Sequence, residues 1–120
     1  MRMTDILPFP AEVNFTIECD AYWEIESLCT DNGTPIDFTG CTGRMYLKRA
    51  YRDDDPVKEF TTENGRMTLT DDGYIRVNNG GDYSADLSGT YYYDILITET
   101  DGKPYKYFKG KVTVNNTVSK

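Results

Sequence analysis

Apolar and polar residues alternate with a period of two along most of the chain, and helical periodicity is nearly absent, which predicts a succession of strands. In the first strand Val13, Phe15, Ile17 and Cys19 share one face, and Asn14, Thr16 and Glu18 the other. Trp23, Ile25 and Cys29 then point inward, with Glu24 and Glu26 outward. A third strand runs from Cys41 to Arg49, with Cys41, Gly43, Met45 and Leu47 inside and Arg44, Tyr46 and Lys48 outside. Shorter strands are expected over Val57–Thr61, Met67–Leu69 and Tyr74–Val77. The longest alternation, Thr90 to Thr98, places Tyr91, Tyr93, Ile95 and Ile97 on one face and Tyr92, Asp94 and Leu96 on the other. In the last strand, Tyr105 to Val114, unbroken alternation predicts Phe108, Gly110, Val112 and Val114 inward and Tyr105, Tyr107, Lys109 and Lys111 outward.

Turn residues punctuate these runs. Asp31-Asn32-Gly33-Thr34-Pro35 reads as a surface loop, and Tyr51-Arg52-Asp53-Asp54-Asp55-Pro56 as a charged loop or sheet edge, because proline cannot donate to a ladder. Asn64-Gly65 and Asp72-Gly73 accept the positive φ of tight hairpins, so two successive hairpins are expected between Val57 and Val77. The segment Tyr83–Gly89 is the one candidate for a short helical turn.

Leu87-Ser88-Gly89-Thr90-Tyr91 has the spacing of a tyrosine corner, in which a phenol bonds to backbone just upstream of a late strand. With Trp23 beside inward cysteines, the expected fold class is all-β, an immunoglobulin-like antiparallel β-sandwich of about eight strands. Residues 1–11 are read as an extended N-terminal arm and 12–120 as a single sandwich domain, a length that suits one core.

Composition then removes whole classes of function. The chain has no histidine and a formal charge of -7, so histidine-based acid–base catalysis is excluded and the basic footprint of nucleic-acid binding is missing. No phosphate-binding glycine loop occurs, and Gly80-Gly81 reads as a turn. The acids fall in turns and on outer faces, where solvation explains them. Asp53, Asp54 and Asp55 do not follow a calcium-loop spacing and read as a solvated loop. Cys19, Cys29 and Cys41 form no paired metal-ligand spacing and are expected as free thiols; a Cys19–Cys29 bridge would need an oxidising compartment, for which the sequence shows no export signal. No apolar run approaches the roughly 18 residues of a membrane helix. No enzyme activity, cofactor, metal, nucleic acid or membrane is expected, and synthesis is expected in a cytoplasm.

What remains is surface. Tyr46, Tyr92, Tyr105 and Tyr107 with Arg44, Lys48, Lys109 and Lys111 form an outward set of the residue types enriched at protein interfaces. The alternative is that these tyrosines simply pair across strands and cover the sheet. Leu7-Pro8-Phe9-Pro10 is apolar and extended, so Leu7 and Phe9 are candidates for docking on a neighbour or for covering one end of their own domain.

The segment Gly33-Thr34-Pro35-Ile36-Asp37-Phe38-Thr39-Gly40-Cys41-Thr42, followed by Arg44-Met45-Tyr46-Leu47-Lys48-Arg49, resembles the "G-x-P-x-D-L-T-G-A-T-x-x-M-x-V-R" opening of small bacteriophage structural domains, found alone in virions and at the N-termini of upper baseplate and tail-fibre proteins. Further stretches agree in order: Phe60 to Leu69, Gly73-Tyr74-Ile75, Leu87 to Ile95, and Gly110-Lys111-Val112-Thr113-Val114. Phe38 and Cys41 depart from the leucine and alanine usual there. The resemblance implies an immunoglobulin-like sandwich that attaches to other virion proteins in tail, neck or baseplate, in repeated or homo-oligomeric contacts, with no catalytic residues to carry over. The alternatives kept beside it are a capsid decoration or head-fibre protein and a carbohydrate-binding host-attachment module.

Overall fold

A computed structural model describes residues 11–18, 21–80, 83 and 85–115. Among them the secondary structure is entirely strand: β1 (Ala11–Glu12), β2 (Phe15–Glu18), β3 (Glu24–Leu28), β4 (Thr30–Asp31), β5 (Thr34–Pro35), β6 (Thr42–Lys48), β7 (Lys58–Thr61), β8 (Met67–Leu69), β9 (Tyr74–Asn78), β10 (Gly89–Thr98) and β11 (Pro104–Asn115). With β1 and β2 taken as one interrupted strand and the two-residue β4 and β5 set aside, the expected eight remain. The larger sheet has the order β1-β11-β10-β6-β7, with β2 also on β11, and the smaller is β3-β9-β8. That arrangement is the immunoglobulin-like sandwich. β1 takes in Ala11, the last residue of the expected arm, and residues 1–10, with Leu7 and Phe9, lie outside the described residues.

The alternation of side chains builds the core between the sheets. Met45 and Leu47 from β6, Tyr91, Tyr93, Ile95 and Ile97 from β10, and Ile75 and Val77 from β9 are all buried. Trp23 meets Phe60 across the sandwich with ring centroids 5.5 Å apart, and Tyr83 stands edge-on to the same Phe60 at 5.4 Å. The tyrosine corner is present: the Ser88 N–H donates to the Tyr91 hydroxyl at 3.1 Å.

Several expectations are corrected. Asn64-Gly65 does not close a hairpin, because β7 pairs with β6 in the larger sheet whereas β8 pairs with β9 in the smaller; the chain changes sheets there, leaving one hairpin instead of two. The Asp31–Pro35 segment is itself a tiny hairpin, β4 on β5, with φ of 54° at Asn32 and 82° at Gly33. Around Tyr83–Gly89 the described residues form turns and no helix. β1 and β2 run parallel to β11, so the sandwich is not antiparallel throughout.

Val13, expected inward, is 44% exposed. The reason lies across the strand gap at Gly110, where φ is 158° and an added Cβ would sit 2.1 Å from the Val13 carbonyl oxygen. The bare glycine lets that carbonyl descend onto β11, where the Tyr93 hydroxyl donates to it at 2.7 Å. The Val13 N–H donates to the Lys109 carbonyl at 2.9 Å, and the Lys111 N–H to Asn14 Oδ1 at 2.9 Å. These contacts interrupt the first strand and turn Val13 outward.

The largest correction concerns Tyr105 and Tyr107. Ile95 pairs with Phe108 but Leu96 with Lys106, so Tyr107 is the extra residue of a β-bulge. A bulge reverses the alternation on its far side. Tyr107 is fully buried, edge-on to Phe38 at 5.8 Å, and Tyr105 is half-buried against the core opposite Ile97.

Candidate interaction surface

The outer face of the larger sheet is assembled by register. Tyr92 of β10 lies opposite Lys48 of β6 on one side and Lys111 of β11 on the other, and Asp94 lies opposite Tyr46 and Lys109 in the same way. Arg44 faces Leu96 one step further along. The structure therefore brings together Arg44, Tyr46, Lys48 and Tyr92 with Lys109 and Lys111, as expected once β6, β10 and β11 are neighbours, and removes Tyr105 and Tyr107 to the inner side.

Each tyrosine of the face is held by a cation or a second ring. The Arg44 guanidinium lies 4.6 Å from the centre of the Tyr46 ring, and the Lys111 ammonium 5.9 Å from that of Tyr92. Such contacts contribute about 0.5–1 kcal/mol when exposed. Lys106 pairs with Asp94 at 3.2 Å, so the central carboxylate is occupied from within the face.

Tyr51, from the loop after β6, reads in the sequence only as part of a charged loop. Its ring packs on Tyr92 at 4.7 Å and its hydroxyl donates to the Gly110 carbonyl at 3.4 Å, yet it stays 52% exposed. Partial burial, with Glu12, Asp94 and Tyr92 nearby, raises its phenol above the ordinary value. No periodicity could have found it, since a loop side chain is placed by the path of the chain. The loop is shaped by its own acid: Asp53 accepts the Ala50 N–H at 3.1 Å.

Depressions mark the face. A polar groove of about 350 Å³ runs between β6, β7 and β10, with Arg44, Tyr46, Glu59, Thr61 and Leu96 among its walls. An open, mainly apolar hollow of about 510 Å³ is bounded by Ala50, Tyr51, Arg52 and Tyr92. Among the described residues no three histidine, cysteine or acidic side chains converge as metal ligands. The arrangement offers aromatic edges, cations and a shallow relief, which suits contact with another macromolecular surface.

No protein-family model matches the chain, and no curated protein does. Among solved structures, extracellular domains 3–5 of Drosophila OTK are similar over 84% of this chain, at 10% sequence identity and a TM-score of 0.39. This chain spans 32% of that longer chain, and a likeness of this degree carries nothing about function.

Proposed function

We propose that this protein is a structural component of a bacteriophage particle, placed in tail, neck or baseplate, that works by protein docking and not by catalysis. The observation that carries the reading is the outer face of the larger sheet, where Arg44, Tyr46, Lys48, Tyr51 and Tyr92 stand together on a protein of net charge -7. Tyrosine and arginine in such a cluster are the side chains that most often anchor protein interfaces. The virion setting is supported by the ordered resemblance of Gly33–Arg49 and the later stretches to phage structural domains. Sugar binding is less well supported, because the Tyr46 and Tyr92 rings already carry Arg44 and Tyr51 where a sugar would stack.

The test is quantitative mass spectrometry of purified particles of the phage that encodes the chain, measured against the major capsid protein. A copy number matching tail or baseplate symmetry is expected. Hundreds of copies would move the protein to the capsid surface, and absence from the particle would end the virion reading.

A further inference from the structure

The two sheets treat their edges differently. At the β7 edge of the larger sheet the protein's own side chains satisfy the outward backbone groups. The Tyr83 hydroxyl contacts both the N–H and the carbonyl of Glu59, at 3.4 and 3.1 Å, and Asn64 accepts the Thr61 N–H at 3.0 Å while donating to the Glu59 carbonyl at 3.0 Å. Such plugging keeps an edge from accepting another strand.

The β3 edge of the smaller sheet has no such cover among the described residues. β3 pairs with β9 alone, Glu24 to Leu28 against Asn78 to Tyr74. Beyond its C-terminal end the Cys29 N–H donates to the Gly73 carbonyl at 2.7 Å. Antiparallel ladders alternate, so Ile25, Ser27 and Cys29 bond toward β9, and the backbone groups of Glu24, Glu26 and Leu28 point away from it. Before β3, the buried Asn79 side chain accepts the Trp23 N–H at 3.3 Å and donates to the Ala21 carbonyl at 2.8 Å. That clamp extends the same parity, leaving Tyr22 on the outward set. In an immunoglobulin-like sandwich this edge can take the first strand, but here β1 and β2 are both committed to β11.

The outward side chains form one stripe: Tyr22, 62% exposed, then Glu24 and Glu26, then Leu28, 52% exposed. We infer that the β3 edge is a strand-addition site for an extended segment of another protein carrying two basic side chains at alternate positions between apolar ones. Main-chain bonds to Glu24, Glu26 and Leu28 supply affinity, and the apolar–acidic–acidic–apolar stripe supplies the selection. A second copy pairing through β3 is disfavoured, because antiparallel β3 strands would set carboxylates opposite carboxylates. Glu26 is shared with Arg76 of β9, so the Glu24 carboxylate is the one without an ion pair within the described residues. This surface is distinct from the tyrosine face, and the inference holds whether or not the protein belongs to a virion.

The test is amide hydrogen exchange by NMR on the full chain, alone and with the synthetic peptide acetyl-Ile-Thr-Lys-Thr-Lys-Thr-Ile-amide at millimolar concentration. In the free protein the Glu24, Glu26 and Leu28 amides should exchange at least about tenfold faster than those of Ile25 and Ser27, and the peptide should slow them to a similar degree. Glu24→Pro removes only an outward donor, a change that edge strands tolerate, so it should keep Ile25 and Ser27 slow and abolish the peptide effect. Glu24→Lys should weaken binding about tenfold, and added salt should weaken it in the wild type. Slow Glu24, Glu26 and Leu28 amides in the free chain would overturn the inference by showing the edge covered by the protein's own residues or, if the slowing depends on concentration, by a second copy. It would equally fall if the peptide gave no protection, or if a peptide with glutamate in place of lysine protected as well.

Discussion

Replacing Tyr107 with alanine separates two descriptions of β11. If the alternation ran unbroken, Tyr107 would lie on the surface and its truncation would change stability by no more than about 0.5 kcal/mol. In the structure the side chain is fully buried, with Phe38 edge-on at 5.8 Å, and its removal leaves a cavity between sheets whose strands are held by their ladders. Truncating buried aromatics to alanine costs about 3–5 kcal/mol, so that loss is expected here. With a urea m-value of about 2 kcal/mol/M, suited to a chain of this size, the unfolding midpoint should fall by about 2 M. Tyr107→Leu, which keeps part of the volume, should fall between wild type and the alanine variant. Lys109→Ala, two residues along on the exposed side, should stay within about 0.5 kcal/mol of wild type. A Tyr107→Ala loss under about 1 kcal/mol with an unchanged m-value would refute the bulge and return Tyr107 to the surface.

Two other predictions follow from buried contacts. Gly110→Ala puts a methyl group 2.1 Å from the Val13 carbonyl oxygen and 2.8 Å from Asn14 Oδ1, so β1 and β2 must leave β11; the stability loss should exceed the about 1–3 kcal/mol of ordinary overpacking, with hydrogen-exchange protection lost at Val13 and Lys111. Burial pushes the Cys29 thiol from 9.0 up to about 12, so in the native protein Cys29 should resist iodoacetamide at mildly alkaline pH, while the partly exposed Cys41 need not, and peptide mapping should find Cys29 alkylated only once the chain is unfolded. Between those two values the folded state keeps a proton that the unfolded state has lost; this contribution is therefore whole below pH 9 and falls as pH rises toward about 12. Burial of Tyr93 raises its phenol too and acts in the same direction, and urea midpoints across the alkaline range should decline accordingly. A Cys29→Ala variant should show a shallower decline.

The all-β class, the faces of β6 and β10, and the tyrosine corner are legible in the order of the residues, because a period of two and a local turn motif are properties of neighbouring residues. The outward cluster of Arg44, Tyr46, Lys48 and Tyr92 was legible for the same reason, once neighbouring strands were assumed. Whatever depends on a partner strand emerges only when the chain has folded. The bulge at Tyr107 exists because β10 imposes a register on β11, and nothing within β11 marks an extra residue. The break at Val13 exists because a glycine far along the chain leaves room for a carbonyl. The sheet change after β7, the place of Tyr51 over Tyr92, and the pairing of β3 with β9 alone among the described residues likewise follow from which strand ends up beside which. Alternation records which side of its own strand a residue occupies; pairing, a relation between distant segments, decides what lies on that side.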